Sequence, residues 1–225
     1  MNVEAMLREL RSLILKASFI GLILLTGIVS AFADDSVDDT ASDLVNDLVN
    51  KQGAAKEVVD SLHNSLYAAA VSSGSFDERY KQIAPIVSES YDFTFISRFI
   101  LRRSWSKLDA SQRERFISVF ERLSVATYVN RFAELKDQSI VITDAQPAAG
   151  KGDRVQVDTQ IQVDDEEVML SYTLKEGEGS WMIVNVVADG VSDLALRRAE
   201  YSRKLKEKGF DGLLDHIDGQ IAKLR

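Results

Sequence analysis

The sequence contains no cysteine, only two histidines and only two prolines. Without thiols there is neither a disulfide framework nor a thiolate metal site, so stability has to come from a buried core. His63 and His216 are the only imidazoles, and there is no Gly-x-Ser-x-Gly, no His-Glu-x-x-His and no glycine-rich phosphate loop. The common nucleophilic and metal-dependent hydrolytic designs therefore lack their parts. Pro85, Pro147 and twelve glycines are too few for a linker composition, and no internal repeat or low-complexity tract interrupts the chain. Basic residues are also scarce: 27 Lys plus Arg stand against 35 Asp plus Glu, a net charge of −8. That balance argues against nucleic acid or another polyanion as partner.

Long apolar runs are absent too, apart from the beginning of the chain. Arg8, Arg11 and Lys16 precede the uncharged stretch from Ala17 to Val29, and Ala31-Phe32-Ala33 offers small residues at both recognition positions of a signal-peptidase cut. A membrane-spanning helix needs about 20 apolar residues. This run is shorter and is followed at once by Asp34, Asp35, Asp38 and Asp39, the pattern of a removable export signal over residues 1–33 rather than an anchor. The expected mature chain starts at Asp34, with 34–41 as a flexible lead-in and 42–225 as a single domain. Its 45% hydrophobic content supplies ample core material.

From Asp43 to Ser72 the residues Leu44, Leu48, Val58, Leu62, Leu66 and Ala70 follow helical spacing, interrupted near Gly53, as one long or broken amphipathic helix. Phe76, Tyr80, Ile83 and Val87 predict a second helix, and Tyr91 to Leu101 a third. Asp109 and Gln112 then form a capping-box pair at the start of a fourth, expected to reach about Leu135. This helix carries two apolar stripes: Phe116, Val119, Phe120, Leu123 and Thr127 on one side, Ile117, Tyr128, Phe132 and Leu135 on another. It has to meet two partners at once.

After Gln138 the period drops to two. Ile140 and Ile142 open a strand, and Val155, Val157, Thr159, Ile161 and Val163 alternate with polar residues. Beyond an acidic tip at Asp164–Glu167, Val168, Leu170, Tyr172 and Leu174 return, and Trp181 to Ala188 follows. That last strand is apolar on both faces, which predicts a central or doubly covered position. From Val191 the helical period resumes to about Lys208, with Gly209 as its C-cap and a final helix beyond. The expected architecture is an α+β fold in which helices pack on one face of a curved antiparallel four-stranded sheet and enclose an apolar cavity.

Three features invite chemistry. The tip Asp164–Glu167 lacks the alternating ligands and glycine of a calcium loop and reads as a solvated hairpin. Arg197, Arg198, Arg203, Lys204, Lys206 and Lys208 crowd one helix, as a solvated face or as a surface for an acidic partner. Phe93, Phe95, Phe99, Phe116, Phe120, Tyr128 and Phe132 concentrate in two neighbouring helices, as core or as the wall of a pocket. An isomerase or hydrolase built on such a pocket would need a buried carboxylate, with Asp158 and Asp189 as candidates.

Several strings taken together resemble a known family. They are Phe76-Asp77-Glu78-Arg79, Tyr91-Asp92-Phe93, Ile96-Ser97-Arg98, Leu101-Arg102-Arg103-Ser104-Trp105, Gln112 with Phe116, Phe120 and Tyr128, Trp181 to Val187 with Gly190-Val191-Ser192, and Gly209-Phe210-Asp211-Gly212-Leu213. In order and spacing they are similar to the MlaC or toluene-tolerance family of periplasmic lipid carriers, from about Asp43 to Ile221. Asp189 to Ala195 with Arg197-Arg198 and Glu200-Tyr201 looks closer to the hopanoid-associated HpnM branch. One position departs: the family usually has glycine ahead of its tryptophan where this chain has Arg102.

The resemblance implies a periplasmic carrier without catalysis or cofactor. Its ligand would be a phospholipid or hopanoid, and its partners an inner-membrane ABC transporter complex and an outer-membrane lipoprotein complex. The expected lipid-binding residues are Phe95, Phe99, Phe116, Phe120, Tyr128 and Phe132 from the helices, and Val157, Ile161, Leu170, Tyr172, Ile183 and Val187 from the sheet. A periplasmic interaction module without ligand is the competing expectation.

Overall fold

The computed structural model describes residues 35–72, 74–132, 140–148, 153–163, 166–177 and 179–225. The expected export signal, the expected end of the fourth helix at Leu135 and the tip residues Asp164 and Asp165 lie outside them. Residues Thr40–Arg225 form one compact unit. Among the described residues no helix is long and apolar enough to cross a membrane.

Helix α1 (Asp35–Val71) is continuous through Gly53 and begins inside the segment expected as a flexible lead-in. Among the described side chains the packed ones lie in its C-terminal half. Ala55, Val59, Leu62, Leu66 and Ala70 are buried, whereas Leu44 and Leu48 are 62% and 45% exposed although they share the helical stripe. Periodicity marks a face, but a face is buried only where another element reaches it.

Helix α2 (Phe76–Ser90) starts with a complete capping box, Ser75 accepting from the Glu78 amide and Glu78 accepting from the Ser75 amide. Helix α3 (Phe93–Leu101) is capped by Asp92 and runs into a 3-10 turn over Arg102–Lys107. At the junction Arg102 adopts φ 45°, ψ −119°, so the turn that glycine would make is made here by arginine. Backbone of this kind in a non-glycine residue costs on the order of 1–3 kcal/mol.

Helix α4 (Ala110–Phe132) opens as its sequence requires. The Gln112 amide donates to Asp109 Oδ1 at 2.8 Å, and the Asp109 amide donates to Gln112 Oε1 at 3.1 Å. Replacing Asp109 by Ala leaves that amide without its side-chain acceptor, and a loss of about 1 kcal/mol is expected in urea unfolding. A wild-type midpoint in the variant would show that the cap carries no energy.

Strands β1 (Ile140–Pro147), β2 (Arg154–Val163), β3 (Glu166–Glu176), β4 (Trp181–Ala188) and β5 (Val191–Ser192) form an antiparallel meander in chain order. The sheet thus has five strands rather than the four expected. The fifth arises because Asp189 and Gly190 take φ 47° and 81°, a two-residue hairpin turn that pairs Ala188 with Val191. Asp-Gly favours this turn because both central residues need positive φ. Ser192 then caps helix α5 (Asp193–Ala222), which is broken at Gly209, φ 71° and ψ −173°.

A register shift between Thr173 and Leu174 explains why β4 is apolar on both faces. Before the shift Ile183 pairs with the inward Leu174, and after it Val186 pairs with the inward Tyr172. The two apolar sets of β4 serve one side of the sheet in succession, because the extra residue of a bulge exchanges the faces. No second covering layer is required.

Candidate functional site

Helices and sheet meet across one apolar layer. Phe116, Phe120, Phe132, Val157, Tyr172 and Ile183 all belong to its buried core, and Tyr128 and Leu170 pack against it. The aromatic side chains interlock: Phe116 stacks on Phe120 at 6.1 Å, Tyr201 meets both edge-on, and Phe93 lies edge-on to Phe120 at 6.0 Å.

The expected cavity is not seen at the centre of this layer. Phe116, Val157 and Ile183 are 0% exposed and Tyr172 is 1% exposed. Among the described residues these four side chains are closely packed by their neighbours.

Four of the expected lining residues lie apart from this core cluster. Ile161 is buried near the far end of β2, paired with Ile140 and Val168. Val187 pairs with Ser171, on the face opposite Tyr172, and the register puts Val186 in the place expected for it. Phe95 and Phe99 lie on the outer side of α3, with Phe99 40% exposed.

A polar thread runs through the apolar layer. The Tyr91 and Tyr128 hydroxyls are hydrogen-bonded to each other, and the Tyr172 hydroxyl lies 2.9 Å from His63 Nε2. Burial, followed by the neighbouring Tyr128, holds the Tyr172 hydroxyl well above its ordinary range, and burial does the same to Tyr91 and Tyr128. Desolvation lowers His63 to about 4, so the imidazole sits neutral in the core. The sequence shows Tyr91 and His63 without placing either at the site: His63 is a polar tip on the buried face of α1, and Tyr91 is the extended residue that ends α2 and bridges to Ile183.

The described surface carries a concavity of about 600 Å³, lined by Phe95, Arg98, Phe99, Arg102, Trp105, Ser106 and Lys175. Arg154 and Lys175 lie 5.5 and 5.9 Å from the centre of the Phe95 ring, and Arg198 lies 5.4 Å from that of Phe99. The two phenylalanines expected to hold hydrocarbon thus present their faces to cations.

Other candidates resolve simply. Arg197 is largely buried, bound to Asp193 at 2.7 Å and to the Tyr201 hydroxyl at 3.1 Å, so it belongs to the scaffold rather than to a free basic face. Asp158 accepts two hydrogen bonds from Gln156 on the outer side of β2, and Asp189 accepts from the Met169 amide in the hairpin. Neither carboxylate faces the apolar layer. Among the described residues no cluster of His, Asp and Glu is built to hold a metal ion.

Helices laid over an antiparallel meander, with an aromatic layer between them and a basic aromatic pocket beside it, define an α+β protein suited to holding an amphiphile. The chain belongs to the MlaC family, whose model matches residues 55–218. It is 28% identical to the toluene tolerance protein ttg2D of Pseudomonas putida over 179 residues, 77% of this chain and 80% of that one. In fold it matches a phospholipid-binding protein of Ralstonia solanacearum solved in complex with a phospholipid. The TM-score is 0.66 at 19% identity, covering 77% of this chain and 97% of that one.

Proposed function

We propose that this protein is a periplasmic lipid carrier that takes the acyl tails of a phospholipid between its helices and its sheet. It hands the lipid between an outer-membrane lipoprotein complex and an inner-membrane ABC transporter complex. The observation that carries this reading is the family match over residues 55–218, nearly the whole of the compact unit. The export signal expected at residues 1–33 supports the periplasmic location, and the fold shared with a chain solved with phospholipid supports the ligand class.

The energetics suit a carrier without a catalytic group. Each methylene moved from water into an apolar site is worth about 0.8 kcal/mol, so two chains of roughly 30 methylenes in total gain on the order of 20 kcal/mol gross. Phe116, Phe120, Tyr128, Phe132, Val157, Leu170, Tyr172 and Ile183 are the proposed tail contacts, joined by Ile161, Val187, Phe95 and Phe99 at the margins.

Native mass spectrometry of protein recovered from a bacterial envelope is expected to show a bound phospholipid, released by organic extraction and identified by fragmentation. Recovery of a hopanoid instead would move the ligand assignment to the HpnM side. Protein that is always lipid-free and takes up nothing from phospholipid vesicles would overturn the carrier reading.

A further inference from the structure

The basic pocket beside the apolar layer is poorly explained as scaffold. Its cations come from two parts of the chain: Arg98 and Arg102 from the end of α3 and the 3-10 turn that follows it, and Lys175 from β3. Arg154 of β2 and Arg198 of α5 stand at the rings of Phe95 and Phe99. In a chain of net charge −8, five cations gathered at one place repel one another. Among the described residues Arg98, Arg102, Lys175 and Arg198 form no ion pair. Arg154 approaches Asp153 only at 3.9 Å, and its buried Nε has no hydrogen-bond partner.

The aromatic faces do the positioning instead. A ring face attracts a cation without neutralising it, so the N–H groups keep their capacity to donate. Arg102 adds an independent sign. It occupies φ 45°, ψ −119°, backbone that glycine adopts freely, yet its long charged side chain is spent on the wall of this pocket. Strained backbone of this kind clusters at ligand sites. The third observation is place: α3 turns Phe93, Ile96 and Ile100 into the core and Phe95 and Phe99 into the pocket. A single nine-residue helix therefore separates the apolar layer from the cations.

We infer that this pocket binds the phosphodiester anion of a lipid headgroup, with Arg98, Arg102 and Lys175 as donors, while the acyl tails enter the adjoining apolar layer. The inference rests on the carrier reading and adds to it a headgroup class. Planar guanidinium groups suit a phosphodiester because they offer two parallel donors to its oxygens. Phe95 and Phe99 then serve the glycerol end of the lipid and the posture of the cations, which accounts for their position outside the core.

The test titrates the full chain with dihexanoyl-phosphatidylglycerol, with dihexanoylglycerol of the same tails, and with glycerol 3-phosphate. Wild type is expected to prefer the phospholipid over the diacylglycerol by at least about tenfold. Arg102→Gly and Lys175→Gln are each expected to remove about tenfold of that preference while leaving diacylglycerol binding unchanged. Arg102→Gly should do so without lowering the melting temperature, since glycine accepts the backbone that arginine strains. Equal binding of both lipids by wild type, or an unchanged preference in both variants, would overturn the headgroup assignment and leave the carrier reading intact. Glycerol 3-phosphate binding as tightly as the phospholipid would also overturn it, making the pocket a site for free phosphoesters. Binding of neither lipid would overturn the carrier reading and this inference together.

Discussion

Acidification from pH 6.5 to 4 is expected to remove about 3 kcal/mol of folding stability through a single side chain, His63. The imidazole is buried against the Tyr172 hydroxyl, and desolvation lowers it from 6.5 to about 4. Between those values the unfolded chain binds a proton that the folded chain refuses, so protonation favours unfolding. The contribution is complete above pH 6.5 and is lost as the pH falls through the window towards 4. Carboxylates elsewhere also respond to acid, so the check is a comparison: urea midpoints of wild type and His63→Gln at pH 7 and pH 4. Glutamine can keep a hydrogen bond to Tyr172 but does not titrate, so the variant should lose about 3 kcal/mol less than wild type. Equal losses in both proteins would show that His63 is not held neutral in the core.

Phe116→Ala is expected to destabilise the protein by about 3–5 kcal/mol, whereas Phe99→Ala should fall below about 1 kcal/mol. Both phenylalanines belong to the expected lipid-binding set, yet Phe116 is fully buried between Phe120 and Tyr201 while Phe99 is 40% exposed under Arg198. Truncating Phe116 leaves a cavity that the stacked rings cannot refill, and at about 2–4 °C per kcal/mol the melting temperature should drop by roughly 10 °C. Added phospholipid should return part of that loss, because a guest that binds only the folded state stabilises it by mass action. Similar destabilisation by the two truncations would contradict the division between core and pocket.

That division was not legible in the sequence, although the elements on either side of it were. Asp109 with Gln112, the change of period after Gln138 and Gly209 all sit where the helices and strands begin and end, because capping and alternation involve residues within a few positions of one another. Asp189-Gly190 carries an equally local signal, the two-residue hairpin, where the periodicity predicts only a helix from Val191. Its consequence is the fifth strand. The face assignments needed more. A single register shift beside Leu174 decides that Val186 rather than Val187 sits beside Tyr172, and no alternation pattern within β4 reveals it.

The aromatic excess was visible in the composition of α3 and α4, but its partition was not. Helical spacing places Phe95 and Phe99 on a stripe, and only the rings and cations across from that stripe say whether it is core. The same limit applies to Leu44 and Leu48, which share the stripe of α1 with Leu62 and Leu66 and yet face outward. An apolar pattern states a demand for burial, and the tertiary arrangement decides which positions are covered.

By itself the sequence determined the α+β layout, the shortage of catalytic parts and the likeness to MlaC, since these depend on residue types and spacings along the chain. Only the folded chain decided that Tyr172 meets His63, 109 residues apart. It also decided that Arg98, Arg102 and Lys175 converge on one pocket. The physical reason is range: capping and periodicity act over a turn or a strand, whereas packing, register and the gathering of like charges are settled between segments whose separation the sequence leaves open.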